Sequence, residues 1–311
     1  MNSPLFISQE DSYPVEELLI SHSSMSTYES CPRKLEFTKL YGFNLKKPSL
    51  AGDGGNALHE AVGEYIKTGS KDLAILKLML SYPIDLCDNP LWKWSLESAY
   101  AALISTINYL DEHTELEIAE INGKPAIEVA FLINIKHNIA GLMPVKYRGY
   151  IDFVFYNRLD NTYFVMDLKN TTWKLDDFTP VYKYSPQCLP YSLVLARALG
   201  KNFENLHVEY LISIVDIMES RTISLEFNKS IHDVEEWTRD LWMELMNIKT
   251  YIDTKWWPRR SGSCISFNKT CAFFELCQSR KMKTIKLMLS SLNQPEAKEF
   301  IPDITLDLEI V

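Results

Sequence analysis

Long hydrophobic runs are missing from this 311-residue chain. Its longest apolar stretches are short and broken by charge, as around Leu76–Leu80 and Ser192–Leu199, so none is expected to span a bilayer. The opening residues, MNSPLFISQEDSYPVEE, lack a basic start and a sustained apolar stretch. No secretory signal is expected, and the sequence points to the cytoplasm with no membrane partner. An excess of basic residues is missing too: 32 Lys and Arg against 41 Asp and Glu leave a formal charge of −9. Proteins that grip nucleic acid usually carry a basic footprint, so any such contact here must be confined to a local groove. The basic groups are Arg33/Lys34/Lys39, Lys46–Lys47, Arg259–Arg260 and Arg280/Lys281/Lys283, each of which alone reads as a solvated face. Cysteine is scarce, with six residues, and in an intracellular chain this excludes a disulfide framework. Three of the six nevertheless crowd into one stretch, Cys264, Cys271 and Cys277, a spacing that points towards metal. Internal repeats and low-complexity linkers are absent.

What is present begins with helices. Ser23 to about Tyr41 carries an apolar stripe of Met25, Tyr28 and Leu35, with Ser21 or Ser23 as N-cap and Pro32 as a kink or restart. Gly52–Ile66, Lys71–Leu80 and Trp92–Glu112 continue the helical part. The pattern changes near Ala126: Ile127, Val129, Phe131, Ile133 and Ile135 alternate with a period of two, which predicts a strand. Val145–Tyr156 and Tyr163–Leu168 are two further strands. Pro186–Leu199 reads as a helix ending near Gly200, and His207–Val215 and Thr222–Phe227 as strands. Ser230-x-x-Asp233 has capping-box spacing ahead of a helix to about Tyr251. This order predicts an α/β fold in one domain over 1–283, a central mixed sheet flanked by helices. Its parts are a helical region (about 21–115), a sheet core (about 126–227), and a long helix with the cysteine cluster (about 230–283). Residues 284–311 read as a C-terminal tail.

Asp167-Leu168-Lys169 closes the apolar strand Tyr163–Met166, and residues two apart on a strand share a face. Asp152 lies in the preceding strand, where antiparallel pairing can bring it beside Asp167. Two acids in apolar strands are costly to bury unless a cation lies between them, and oxygen ligands suit Mg²⁺ or Mn²⁺. Such a site fits phosphodiester hydrolysis: the metal lowers the pKa of a bound water, and Lys169 orients that water or offsets developing charge. Acid-x-Lys by itself carries almost no information, because Asp253-Thr254-Lys255 and Glu296-Ala297-Lys298 repeat it outside any strand. Its weight comes from the strand placement and from Asp152.

The chain resembles the PD-(D/E)XK nucleases, in particular the RecB-like branch that includes CRISPR-adaptation exonucleases and phage-borne relatives. The resemblance rests on Ser21-x-Ser23-x-Met25-x-x-Tyr28-x-x-Cys31-Pro32-x-Lys34, on Gly55-Asn56-Ala57-Leu58-His59-Glu60, on Gly149-x-Ile151-Asp152, on Asp167-x-Lys169 and on Gln187-x-x-x-Tyr191, in that order. It implies a restriction-endonuclease-like core with Asp152, Asp167 and Lys169 as catalytic residues. The metal would be held by His59, Asp152, Asp167 and the backbone carbonyl of Leu168. Gln187 and Tyr191, four apart on a helix face, would position DNA, and Glu128 stands where relatives carry a further acid. The implied activity is a metal-dependent exonuclease on single-stranded DNA or DNA ends, with Trp173, Tyr182 and Tyr184 available for stacking. It further implies a bacterial or phage-infected cell and a helicase, recombination or integration partner. The alternative is a DNA-binding or recombination scaffold that keeps the nuclease fold without turnover.

In cluster-bearing relatives three late cysteines join one early cysteine. The resemblance thus assigns Cys31, Cys264, Cys271 and Cys277 to a [4Fe–4S] cluster. Four thiolates can also close a structural Zn²⁺ site, which stays open as the alternative. Either metal would staple the N-terminal helix to the C-terminal segment. Cys87 and Cys188 read as ordinary thiols.

Overall fold

The alternating segment that begins at Ile127 becomes the central hairpin of the molecule. In the computed structural model, described for residues 13–43, 50–86, 95–172, 175–201, 206–214, 220–266, 269–278 and 300–310, the chain opens with β1 (Leu18–Ile20) and α1 (His22–Ser30). Ser21 caps α1 reciprocally with Ser24. Pro32 restarts the chain as α2 (Pro32–Leu35), whose first turn has no use for the missing N–H. A π-helical turn, Glu36–Leu40, follows. Next come α3 (Leu50–Thr68), α4 (Lys71–Ser81) and α5 (Leu96–Glu112), then the short strands β2 (Leu116–Ile118), β3 (Glu120–Ile121) and β4 (Lys124–Pro125).

The sheet core is built from β5 (Ile127–His137), β6 (Val145–Asn157), β7 (Thr162–Thr171), β8 (Leu206–Ile214) and β9 (Arg221–Asn228). Between β7 and β8 lie α6 (Leu175–Tyr184) and α7 (Cys188–Leu199), the latter ending at Gly200 in the left-handed region (φ 61°). The 24-residue α8 (Ile231–Thr254) starts from the Ser230/Asp233 capping box. A small hairpin of β10 (Ile265–Ser266) and β11 (Lys269–Thr270) precedes α9 (Phe274–Gln278). Residues 284–311 read as a tail from the sequence, yet Ile304–Ile310 forms a strand, β12, which joins the sheet edge parallel to β5.

Strand order is β12-β5-β6-β7-β8-β9, and the mixture of parallel β12·β5 and β7·β8 pairs with antiparallel ones makes this an α/β fold on a mixed sheet. Helices cover both faces. On one, α7 and α8 bury Tyr191, Val194, Leu195, Trp237, Leu241 and Leu245 against Phe131, Tyr147, Ile151 and Val165. On the other, α3, α4 and α5 bury Leu58, Leu78 and Leu103 against Phe153, Phe155, Met166 and Leu168. Gly149 is required where the two central strands meet this core, since a Cβ there would lie 2.6 Å from the Phe131 ring. Among the described residues no helix is long and apolar enough to cross a membrane.

Candidate active site

The site lies where the sheet divides. β6 is long enough to serve different neighbours along its length: β1 pairs with Val145–Tyr147, while β7 pairs with it only from Phe153 onward. Past the Phe153–Met166 pair β6 and β7 separate, and the Asp152 side chain takes over from the backbone ladder. Its Oδ2 accepts the Leu168 amide N–H at 3.0 Å. Across the β5–β6 ladder, between the pairs Ile127–Phe153 and Val129–Ile151, Glu128 adopts a left-handed backbone (φ 51°). A non-glycine residue there carries strain of about 1–3 kcal/mol. The interruption falls opposite Asp152, where side-chain alternation changes so that Ile151 and Phe153 face different cores.

Alternation on β7 sends Phe164, Met166 and Leu168 to the α3–α5 face and Asp167 with Lys169 to the opposite one. Asp167 is 1% exposed. Its Oδ1 accepts from Gln187 Nε2 at 3.1 Å, and its Oδ2 forms an ion pair with Lys169 Nζ and takes no further hydrogen bond. Burial pushes the Asp152 carboxyl well above the ordinary range, and the neighbouring Asp167 charge adds to that. Burial pulls the Lys169 ammonium down, but Asp167 and then Asp152 more than reverse it, leaving its pKa above the usual value. Among the described residues Lys169 thus faces buried Asp167 and half-buried Asp152.

His59 reaches the same point from α3. α3 packs Gly63 against Phe153 and Ile127, and the residue one turn earlier on the same face, His59, overhangs Asp152. Nδ1 of His59 is 3.4 Å from Asp152 Oδ2, and the ring lies beside the Leu168 backbone. Burial lowers its pKa to about 4, so near neutral pH it is an uncharged imidazole with electron pairs to give. Glu60 turns outward to Lys77 (3.0 Å) and Ser81 (2.8 Å).

Gln187 and Tyr191, expected to position DNA, stand beside the acids. Tyr191 is 6% exposed, its ring edge-on to Phe131 at 5.7 Å, which leaves no face for a base. Its hydroxyl accepts from Gln187 Nε2 at 2.8 Å, the nitrogen that also holds Asp167. The helix face forecast from the four-residue spacing is real but turned towards the core. Of the aromatics considered for stacking, Trp173 lies outside the described residues, Tyr182 packs on Tyr210 (5.2 Å), and Tyr184 is exposed. His22 went unmarked in the sequence, where a lone histidine at a helix start carries no signal. It lies at the mouth of the site, its pKa lowered by burial and then by Lys169.

The residues fit a divalent cation by the chemistry of their donors: two carboxylates, one backbone carbonyl and a neutral imidazole, with Asp167 Oδ2 buried and satisfied only by Lys169. Among the described residues no three His, Cys, Asp or Glu side chains stand as a ready-made ligand cluster. Lys169 pairs with Asp167, and the Leu168 amide donates to Asp152.

The cysteines lie elsewhere, on the seam between the chain's two ends. The β10–β11 hairpin sets Cys264 and Cys271 opposite each other, with Cys271 N–H donating to the Cys264 carbonyl at 2.8 Å. Cys277 on α9 has its thiol pKa raised by burial, lowered by Arg33, and raised again by Cys31 and Cys271, which places these thiols within electrostatic reach of one another, while among the described residues no three of them stand as a metal-ligand group. Cys271 and Cys277 pack on Phe37, Phe43, Phe273 and Leu276. The seam is already stitched, since Arg33 donates through Nε and Nη2 to the Trp257 carbonyl (3.2 and 3.0 Å) and Trp257 Nε1 donates to the Tyr13 hydroxyl (2.8 Å).

A family model described as the PD-(D/E)XK nuclease superfamily matches residues 19–278. Among solved structures, the chain is similar to a candidate exonuclease from Eubacterium rectale, at 15% identity over 94% of this chain and 97% of that one, with a TM-score of 0.48. It is also similar to the protein SSO0001, at 13% identity over 88% of each chain, with a TM-score of 0.35. No curated protein matches it.

Proposed function

The chain belongs to the PD-(D/E)XK nuclease superfamily, and from that premise we propose that it is a metal-dependent deoxyribonuclease of the RecB-like, phage-type branch, acting as an exonuclease on single-stranded DNA or DNA ends. The observation that carries the proposal is the pairing of buried Asp167 with half-buried Asp152 at the division of a restriction-endonuclease-like sheet, with Lys169 paired to Asp167. Asp152, Asp167, His59 and the Leu168 carbonyl would hold Mg²⁺ or Mn²⁺. When bound, the cation supplies Lewis acidity and lowers the pKa of a coordinated water. Lys169 offsets negative charge building on the phosphate oxygens. Gln187, itself braced by Tyr191, fixes the carboxylate plane of Asp167, a supporting role that orients a ligand rather than touching substrate. His59 stays uncharged, so it adds no positive charge to compete with the cation. The test is hydrolysis of end-labelled single-stranded DNA with added Mg²⁺ or Mn²⁺, compared on free, 5′-blocked and 3′-blocked ends. Metal-dependent shortening that one block prevents is expected. Cleavage that persists in chelator, or no cleavage with either metal, overturns the proposal.

We further propose a [4Fe–4S] cluster on Cys31, Cys264, Cys271 and Cys277, with structural Zn²⁺ as the alternative. Support comes from the thiols' shared seam, where a metal would reinforce the bonds between Arg33 and Trp257. Protein purified without air should be brown and contain iron, and Cys271→Ser should lose both. Stoichiometric zinc without iron would replace the cluster by the alternative.

A further inference from the structure

β6 carries a second feature ahead of its acid. Val145, Tyr147 and Ile151 face the α7–α8 core, so Lys146, Arg148 and Tyr150 point the other way, along the strand that leads to Asp152. Lys146 is neutralised by Glu17 at 2.6 Å. Arg148 is not: among the described residues it has no carboxylate partner, and neither has Lys39 on the π-helical turn. β1 pairs with Val145–Tyr147 and packs on the π-helical turn, which brings Lys39 within electrostatic reach of Arg148; burial and then the Arg148 charge lower the Lys39 pKa to about 8. Phe300, just ahead of β12, organises the exposed end. The Arg148 guanidinium lies 5.1 Å from its ring centre, and Tyr150 meets it edge-on at 5.5 Å with 52% of its own surface exposed.

Like charges side by side without an acid are unfavourable unless an anion completes them. In a chain of net charge −9 such a pair is conspicuous. Cations beside an exposed aromatic ring are the combination that takes the backbone and bases of a single strand. From Arg148 to Asp152 the strand rise gives about 13 Å, a separation of a few nucleotides. We infer that Lys39, Arg148 and Tyr150 form a landing site for the phosphodiester backbone and one base of a single nucleic-acid strand that continues to Asp152. The inference rests on the nuclease reading for its substrate class and adds where that substrate is gripped.

The experiment measures binding of labelled oligothymidylate to the full-length chain in chelator, by fluorescence anisotropy over a range of salt. Lys39→Gln/Arg148→Gln should bind about tenfold or more weakly, and its log–log salt slope should be shallower by about 1.4, roughly 0.7 per lost phosphate contact. Tyr150→Ala, exposed and safe for folding, should bind about fivefold or more weakly with the parental slope, because it removes stacking and no charge. Parental affinity in a folded double variant, or parental affinity in Tyr150→Ala should the double variant melt early, overturns the inference. Asp167→Asn separates the two readings. A parent that binds through these residues but cuts nothing defeats the nuclease reading alone, and one that cuts while the variants bind normally defeats the landing site alone.

Discussion

Asp167→Ala should lower single-turnover hydrolysis of single-stranded DNA by about a thousandfold or more. Asp167 is the most deeply buried acid of the site and the point on which its other members converge. Gln187 holds one oxygen, Lys169 faces the other, and its charge raises the proton affinity of Asp152. Removing the carboxylate takes away a cation ligand and leaves Lys169 buried beside a single acid. Lys169→Ala should give a loss of about a hundredfold or more, because it removes the positive side chain that, among the described residues, pairs with the acids while leaving both carboxylates. Rates measured across a Mn²⁺ titration separate these cases: excess metal should recover part of a binding defect but none of a lysine defect. Parental rates in either variant would remove that residue from the mechanism.

The second large effect is on stability and has the opposite sign. Asp152→Asn should be inactive, yet more stable than the parent in chelator at neutral pH. The carboxyl of Asp152 has its folded-state pKa raised, by burial first and by Asp167 second. The unfolded chain ionises it near the ordinary value of 3.8, whereas the folded protein resists. The cost to folding therefore appears as pH rises above that value and grows until the raised folded pKa is reached. An asparagine keeps an oxygen for the Leu168 amide without the charge. The gain in melting temperature should be clear at neutral pH and vanish towards pH 3.8. A divalent cation should reverse the ranking, since binding at a hundred times its dissociation constant stabilises the parent by about 2.7 kcal/mol. Equal or lower stability of Asp152→Asn in chelator at neutral pH would show that the acid pair is not strained in the cation-free protein.

Much of this could be read along the chain because it is local. Alternation marked β5, β6 and β7, Ser230 and Asp233 capped α8, Pro32 restarted the first helix, and Gly200 closed α7. Each depends on neighbours within a turn or two, where backbone geometry is decided. Order along the sequence also picked out Asp152, Asp167, Lys169 and His59, which the fold brings to one place.

What the chain alone left open is long-range. The alternation of Ile304, Leu306, Leu308 and Ile310 is visible, but the partner of that strand is β5, more than 160 residues earlier, and no local signal announces a parallel edge pairing. Gln187 and Tyr191 share a helix face in any reading; only the packing of α7 on Phe131 brings that face to Asp167. Lys39 and Arg148, without a carboxylate partner among the described residues, come within electrostatic reach because β1 pairs with β6 and packs on the turn after α2. Period and capping thus determined the elements, while strand placement and the order of the motifs singled out the acids proposed for the site. Tertiary structure decided which side chains face one another, because opposition across a sheet is set by topology and register, which composition does not encode.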